Sequence, residues 1–253
     1  DYLEKKDYFI PGGIMATDTI FDWCVDHDIP YYCSNWRHNE EQILHENKQV
    51  ISEANAEFVY VYLPKLDSVM HNNGPYSDAI NDLETKITDL YRFAQKLYNE
   101  VSLYVISDHG MAPVTGSYDI KSVVDRLGFD FGKDYVAFYD STMARFWWKD
   151  TRVKAAVLDT LNSLDCGYVV STEELKRLRV WFPDPKYGDS YFLMNEGLLL
   201  NPSFMGLKVI PGMHGYHPDA PNSYSIMLSN REIPADIQSI TDIRKTMESE
   251  LAK

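Results

Sequence analysis

Three short segments of the chain combine carboxylate and imidazole side chains, the groups that bind divalent metal ions. Asp67 and His71 are four residues apart, so both side chains reach one point if the segment is helical. Asp108 and His109 are adjacent, and they can share a site only where the chain turns, which the following glycine allows. His214 lies in a Gly-Met-His-Gly-Tyr loop. Carboxylate oxygen and imidazole nitrogen suit zinc, and other divalent first-row metals accept the same ligands.

Each segment alone also has a simpler explanation. Asp67 and His71 could be a chance pair, because this spacing occurs in many proteins. Asp108 and His109 could be the polar end of a strand, and His214 an ordinary loop histidine. The combination favours metal binding, because two of the three segments directly follow strand-like runs.

The elements that must position these residues form a βαβ pattern. Apolar runs at residues 57–63 and 101–106 predict two strands, each followed by one candidate segment. This order predicts an α/β fold whose mostly parallel sheet carries these strands as neighbours, with helices on both faces. Functional groups gather at the carboxyl ends of such strands. Between the two runs, apolar residues recur on one face of a helix, at Ile80, Leu83, Ile87, Leu90, Ala94 and Leu97.

Patterns elsewhere divide the chain into a core and an inserted lobe. Residues 1–117 belong to the core, 118–205 form a small inserted α+β lobe, and 206–253 return to the core with the last metal-ligand loop. The remaining predicted elements are helices at 18–26, 39–51, 153–164, 173–178 and 237–251, strands at 29–33, 167–170 and 224–228, and hairpins at 135–148 and 191–200.

The composition is that of a globular, acidic protein. Lysine and arginine number 24 against 38 aspartate and glutamate, a net charge of −14 in 253 residues. Such a chain is a poor partner for nucleic-acid polymers, whose phosphates bind clustered Lys and Arg. No apolar run reaches the ~18 residues that indicate a transmembrane segment. Three cysteines are too few for a disulfide framework, which favours a reducing compartment, so we expect a cytoplasmic protein.

The candidate segments belong to three longer motifs: Leu66-Asp-Ser-Val-Met-His71, Ile106-Ser-Asp-His-Gly-Met-Ala-Pro113 and Pro211-Gly-Met-His-Gly-Tyr-His-Pro218. These motifs, in this order, resemble the type I phosphodiesterase/nucleotide pyrophosphatase family of the alkaline phosphatase superfamily. The resemblance implies an alkaline-phosphatase-like fold, two divalent ions, with zinc the expected metal, and a small phosphodiester or nucleotide as substrate. It implies that Asp67, His71 and His214 hold one ion, and that Asp108 and His109 belong to a second site.

The resemblance also implies a Thr or Ser nucleophile, which this sequence does not show. In the family, a strand ending in Asp and a Thr-Phe-Pro-Asn-like turn come early in the catalytic domain, and neither is found here. Thr17 and Thr19 precede a helix, where Thr is a common N-cap. We therefore predict that the chain lacks roughly the first hundred residues of the family domain, the nucleophile included, and is inactive by itself.

Alternatives remain open on the sequence alone. A sulfatase needs Cys-x-Pro-x-Arg, and the segment from Cys33 to Arg37 has Asn35 in place of the proline. A phosphomonoesterase or phosphomutase of the same superfamily would use a similar metal site. A metal-stabilised binding domain without catalysis would also keep the ligands. No feature of the sequence bears on the oligomeric state.

Aromatic residues of the lobe could contact a substrate or pack in its core. Phe146, Trp147 and Trp148 could stack on a nucleobase, although such residues more often pack internally. Strand alternation places Trp147 and Trp148 on opposite faces. Arg145 could pair with a phosphate or form a structural ion pair.

Overall fold

The computed structural model describes residues 7–14, 17–75 and 77–253, which form two compact units. The first unit consists of Asp1–Ser68, Ser77–Asp108 and Ser225–Lys253. The second consists of Val69–Tyr76 and His109–Tyr224. Both combine helices with short strands, which confirms the predicted α/β class. Within the described ranges, none of the helices combines the length and apolar character that crossing a bilayer requires.

The helices and strands alternate along much of the chain. The helices are α1 (Ile20–Asp26), α2 (Glu40–Glu53), α3 (Lys65–Asn73), α4 (Ser77–Gln95), α5 (Ile120–Asp125), α6 (Thr151–Asn162), α7 (Thr172–Arg177) and α8 (Ile243–Leu251). The strands are β1 (Tyr31–Cys33), β2 (Phe58–Tyr60), β3 (Tyr104–Ile106), β4 (Ala112–Pro113), β5 (Gly116–Tyr118), β6 (Tyr135–Tyr139), β7 (Met143–Trp148), β8 (Gly167–Val169), β9 (Ser190–Met194), β10 (Leu198–Leu200), β11 (Gly212–Met213) and β12 (Met227–Ser229). Short 3-10 helices lie at Pro185–Tyr187, Pro221–Ser223 and Ile240–Asp242.

Helix α1 begins at a capping box. The Thr19 side chain accepts a hydrogen bond from the backbone N–H of Asp22 at 3.3 Å, and the Asp22 carboxylate accepts one from the Thr19 N–H at 2.7 Å. These bonds satisfy N–H groups that have no partner inside a helix. Thr19 is therefore the predicted N-cap. The helix buries Ile20 and Phe21, against which Met247 of α8 packs.

The strands of the first unit pair differently from the prediction. Strand β2 pairs in parallel with β1, and β3 pairs antiparallel with β12. Helix α4 does connect β2 to β3, as its apolar spacing predicts. However, in the described part of the chain β2 and β3 are not hydrogen-bonded neighbours, so their predicted pairing was wrong. Alternation identifies a strand and its faces, whereas its neighbours depend on contacts between distant parts of the chain.

The second unit is built around a four-stranded antiparallel sheet in the order β6-β7-β9-β8. Strands β6 and β7 form the predicted hairpin, in which Tyr135 pairs with Trp148 and Tyr139 with Ala144. These strands lie within residues 118–205, although the division into core and inserted lobe stays a prediction. The fully buried side chains of this core include Tyr135, Tyr139, Phe146, Val157, Leu161, Phe192 and Met194.

The second predicted hairpin, at residues 191–200, was wrong. Strand β9 pairs with β7 and β8, while β10 pairs in parallel with β5, Leu198 lying opposite Gly116. The carbonyl of Gly197 accepts from the N–H groups of Thr115 and Gly116, at 2.8 and 3.3 Å. After β9 the chain therefore continues to β5, with which β10 pairs, and does not fold back on β9.

The C-terminal helix is shorter than predicted. Apolar spacing predicts a helix over 237–251, but α8 starts at Ile243 after a 3-10 turn. Ser239 caps that turn in a box with Asp242, whose carboxylate accepts from the Ser239 N–H at 3.0 Å. The cap fixes the residue at which the helical segment starts, and apolar periodicity alone does not predict that residue.

Candidate metal centre

Helix α3 carries two of the predicted ligands. Asp67 and His71 lie one turn apart on this helix, which meets the condition that the segment be helical. Asp67 belongs to the first unit, whereas His71 belongs to the second. The first residue of α3 is tied to α2, because Glu40 accepts from the Lys65 N–H at 3.1 Å.

Three histidines lie together in the second unit. The rings of His109 and His214 are stacked with centroids 3.7 Å apart, and the rings of His71 and His214 are 5.0 Å apart. His109 and His214 offer ring nitrogens within 4.8 Å of one another. All three side chains are half-buried. Three imidazoles this close together form a candidate metal-binding cluster.

Two of these histidines are held in the tautomer that binds metal through Nε2. The Nδ1 of His71 lies 2.9 Å from the carbonyl oxygen of Gly212, and the Nδ1 of His109 lies 2.8 Å from that of Gly110. A carbonyl oxygen only accepts hydrogen bonds, so each Nδ1 carries the proton. In the neutral ring, Nε2 then carries the lone pair that a metal takes. The residues therefore fit a divalent ion.

A short antiparallel pairing places the two stacked histidines. Strand β4 follows His109 and pairs with β11, which precedes His214. The register sets Met213 opposite Ala112, so the segment before β4 runs beside the segment after β11. At Gly212, a Cβ would overlap the carbonyl oxygen of Met70 in α3. Only glycine allows this approach, which brings the Gly212 carbonyl to His71.

The two candidate carboxylates belong to the first unit. Burial raises the pKa of Tyr62, and the negative charges of Asp108 and Asp67 raise it further. A phenol responds in this way when carboxylates lie near it. Asp67 and Asp108 therefore act on the same side chain, although α3 and β3 bring them from different parts of the sequence.

Comparison with known proteins decides the family. The sequence matches the type I phosphodiesterase/nucleotide pyrophosphatase family over residues 7–216. The chain belongs to this family. The resemblance of the three motifs is thereby confirmed. No curated protein matches the chain significantly.

Solved structures of similar fold include an ectonucleotide pyrophosphatase/phosphodiesterase and a phosphonoacetate hydrolase. Murine ectonucleotide pyrophosphatase/phosphodiesterase 5 is 21% identical, with a TM-score of 0.68 over 86% of this chain. The same murine protein, as an inactive variant in complex with AMP, is 20% identical, with a TM-score of 0.68 over 86% of this chain. This chain spans 60% of the murine chain in both cases. Phosphonoacetate hydrolase from Sinorhizobium meliloti, in complex with phosphonoformate, is 16% identical, with a TM-score of 0.63 over 83% of this chain and 55% of that one.

The structure weighs against Cys33 as a thiolate nucleophile. Cys33 is the last residue of β1, and burial is the main cause that raises the pKa of its thiol to about 12. A cysteine that attacks as a thiolate needs a lowered pKa. Against the sulfatase motif itself stands Asn35 in the proline position.

The aromatic residues of the second unit serve mainly in packing. Phe146 is buried and stacks on Trp148 at a centroid distance of 5.1 Å. Trp147, on the opposite face, donates through Nε1 to the carbonyl of Pro185 at 2.6 Å. Arg145 lies 3.7 Å from Asp140, which favours the structural ion pair over a phosphate contact.

Two contacts of the loop that follows β11 were missed by sequence reasoning. Thr142 donates from Oγ1 to the carbonyl of Gly215 at 2.8 Å. His217 lies 2.7 Å from Glu174 of α7. These partners are 73 and 43 positions apart in the sequence, so no local spacing could have revealed them.

Glu174 should make the stability of the second unit depend on pH. Its contact with Arg177, and then its contact with His217, lowers the pKa of Glu174 to about 2. A lowered pKa means that the ionised form stabilises the fold above the ordinary value of 4.5, and that this contribution is lost as the pH falls towards 2. We expect Glu174→Gln to reduce the unfolding free energy at pH 7, with a difference from wild type that shrinks between pH 4.5 and 2.

Urea unfolding at a series of pH values measures this difference. Glu173→Gln is the matched control, because it removes the same charge from the neighbouring position of α7 but keeps Glu174 beside Arg177. A constant difference between wild type and Glu174→Gln across that pH range would contradict the assignment.

Proposed function

We propose that this protein is a metal-dependent hydrolase of phosphodiester or pyrophosphate bonds in small molecules. The observation that carries the proposal is the cluster of His71, His109 and His214 in a chain of this family. When bound, divalent ions lower the pKa of water or of a hydroxyl nucleophile and stabilise negative charge on the attacking and leaving oxygens.

The proposal includes two ions, with zinc as the expected metal. Asp67, His71 and His214 would hold one ion, and Asp108 and His109 belong to the second site. The turn spacing on α3 and the Nδ1 hydrogen bonds of the two histidines support this assignment. The charges of both aspartates at Tyr62 support it as well. A Thr or Ser nucleophile is also part of the proposal, and no residue of this chain is assigned to it.

The chain's own residues perform two tasks in this proposal. The carbonyls of Gly212 and Gly110 hold the protons of His71 and His109 on Nδ1, so that Nε2 is the donor atom. The half-buried setting of the imidazoles limits the access of water, which strengthens their interaction with a cation.

The proposed substrate is a small phosphodiester or nucleotide. The murine relative in complex with AMP supports a nucleotide, and the net charge of −14 disfavours a nucleic-acid polymer. The cytoplasmic location stays a prediction from the cysteine content.

Zinc-dependent binding of AMP tests the proposed function. We expect calorimetric titration of the zinc-loaded protein with AMP to show saturable binding that EDTA abolishes. The control variant is His45→Ala, which removes an exposed histidine from α2 and should leave the binding unchanged. AMP binding that is equal with and without zinc would contradict a metal-dependent site. Zinc uptake without any nucleotide binding would instead favour the non-catalytic, metal-stabilised domain.

Hydrolysis is a separate measurement, because no nucleophile is assigned. With zinc, this chain should turn over a chromogenic phosphodiester very poorly. Turnover comparable with that of a complete family member would show that the chain contains a nucleophile.

A further inference from the structure

The segment that carries His214 has little regular structure of its own. We call residues 212–219 the His214 loop. Only Gly212 and Met213 form a strand, and Gly215 has a φ of +86°, which favours glycine. The position of His214 therefore depends on what holds the neighbouring peptide groups.

Thr142 holds the peptide group between Gly215 and Tyr216, one residue beyond His214. Its Oγ1 donates to the Gly215 carbonyl at 2.8 Å, and its side chain is buried, with only 6% of the residue exposed. A Cβ at Gly215 would lie 3.1 Å from this oxygen, so the hydroxyl and the loop backbone are in close contact. The hydrogen bond fixes the direction of the Gly215 carbonyl, one residue after the proposed ligand.

The turn that carries Thr142 is held by two backbone hydrogen bonds. Thr142 ends the turn between β6 and β7, and its carbonyl accepts from the Met194 N–H of β9 at 2.8 Å. The N–H of Leu200 donates to Ser141 in the same turn, also at 2.8 Å. The last residues of β9 and β10 thus hold this turn in place.

Tyr216 holds the loop on the other side of Gly215. It is 5% exposed and belongs to the main core cluster of the second unit. Gly215 thus lies between His214 and a buried aromatic residue, and the Thr142 hydrogen bond fixes the peptide group between Gly215 and Tyr216.

We propose that Thr142 is a positioning residue for His214 and that its hydroxyl keeps the imidazole in the orientation that binds metal. The inference rests on the proposed function, in which His214 is a metal ligand. Thr142 does not contact the metal in this scheme, so it acts only through the His214 loop. Supporting residues of this kind typically change metal affinity by about 10- to 100-fold.

Zinc titration of substituted proteins tests the inference. Thr142→Val removes the hydroxyl at nearly constant volume and should weaken zinc binding by about 10- to 100-fold. Thr142→Ser keeps the hydroxyl and should restore most of the affinity. Thr246→Val is the matched control, because Thr246 is also buried, at 8% exposure, but lies in α8 of the first unit.

A second readout needs no metal. The ¹⁵N chemical shifts and line widths of the His214 ring in the zinc-free protein should change in Thr142→Val and stay as in wild type in Thr142→Ser. A purely structural role would lower the stability in urea without this selective change. Unchanged His214 signals in a folded Thr142→Val protein would overturn the positioning role.

The outcomes separate this inference from the proposed function. If zinc binds and His214→Ala weakens it, but Thr142→Val binds zinc as wild type does, only the positioning role fails. If wild type takes up no zinc, the proposed function fails, and the inference that depends on it fails as well.

Discussion

Replacing His214 by alanine should weaken zinc binding by more than about 100-fold, because even residues that only support a ligand change affinity by about 10- to 100-fold. His214 is the central member of the histidine cluster, with its ring 3.7 Å from that of His109 and 5.0 Å from that of His71. Its removal takes away one proposed ligand and the ring against which both others pack. Calorimetric titration with zinc at neutral pH measures the effect.

The control for this prediction is again His45→Ala, whose zinc affinity should equal that of wild type. Circular dichroism of the zinc-free proteins shows whether both variants keep the fold. Zinc binding to a folded His214→Ala protein with wild-type affinity would exclude His214 as a ligand. A loss of binding in both variants would place the zinc elsewhere.

Replacing Phe146 by alanine should lower the unfolding free energy by about 3–5 kcal/mol, the range for removing a large aromatic residue from a core. Phe146 is fully buried in the middle of the four-stranded sheet. Its ring is stacked on Trp148 at 5.1 Å and meets the ring of Tyr139 edge-on at 6.0 Å. The substitution removes these contacts and leaves a cavity that surrounding side chains fill only partly.

Two controls make the second prediction specific. Phe146→Leu keeps more of the buried volume, so it should lower the unfolding free energy by less than the alanine substitution does. Phe131→Ala removes a ring from a residue that is 57% exposed, so it should lower the unfolding free energy much less than Phe146→Ala does. Urea denaturation measures all three variants. Equal losses for Phe146→Ala and Phe131→Ala would contradict the central place of Phe146 in the core.

Local chemistry predicted much of the candidate site. The four-residue spacing of Asp67 and His71 became one turn of α3, as helical geometry requires. Thr19 became an N-cap, because its position before an apolar helix and its partner Asp22 are both local features. The motif around His214 indicated the family, to which the chain belongs.

The errors concern partners that are distant in the sequence. Residues 197–200 were assigned to a hairpin because two apolar runs flank a polar pair, but Leu198 lies opposite Gly116. The pairing of β3 with β12 joins residues more than a hundred positions apart. The apolar pattern is the same whichever strand lies alongside, so the pattern cannot select the partner.

The sequence by itself determined the candidate ligands, the strands that precede Asp67 and Asp108, and the family. These follow from side-chain chemistry and from periodicities of a few residues, which act locally. Only the tertiary structure decided that the Nδ1 atoms of His71 and His109 face carbonyls and that Thr142 bonds to the His214 loop. A hydrogen bond such as the one between His71 and Gly212 joins groups 141 positions apart, and it forms only after packing has brought them within 3 Å.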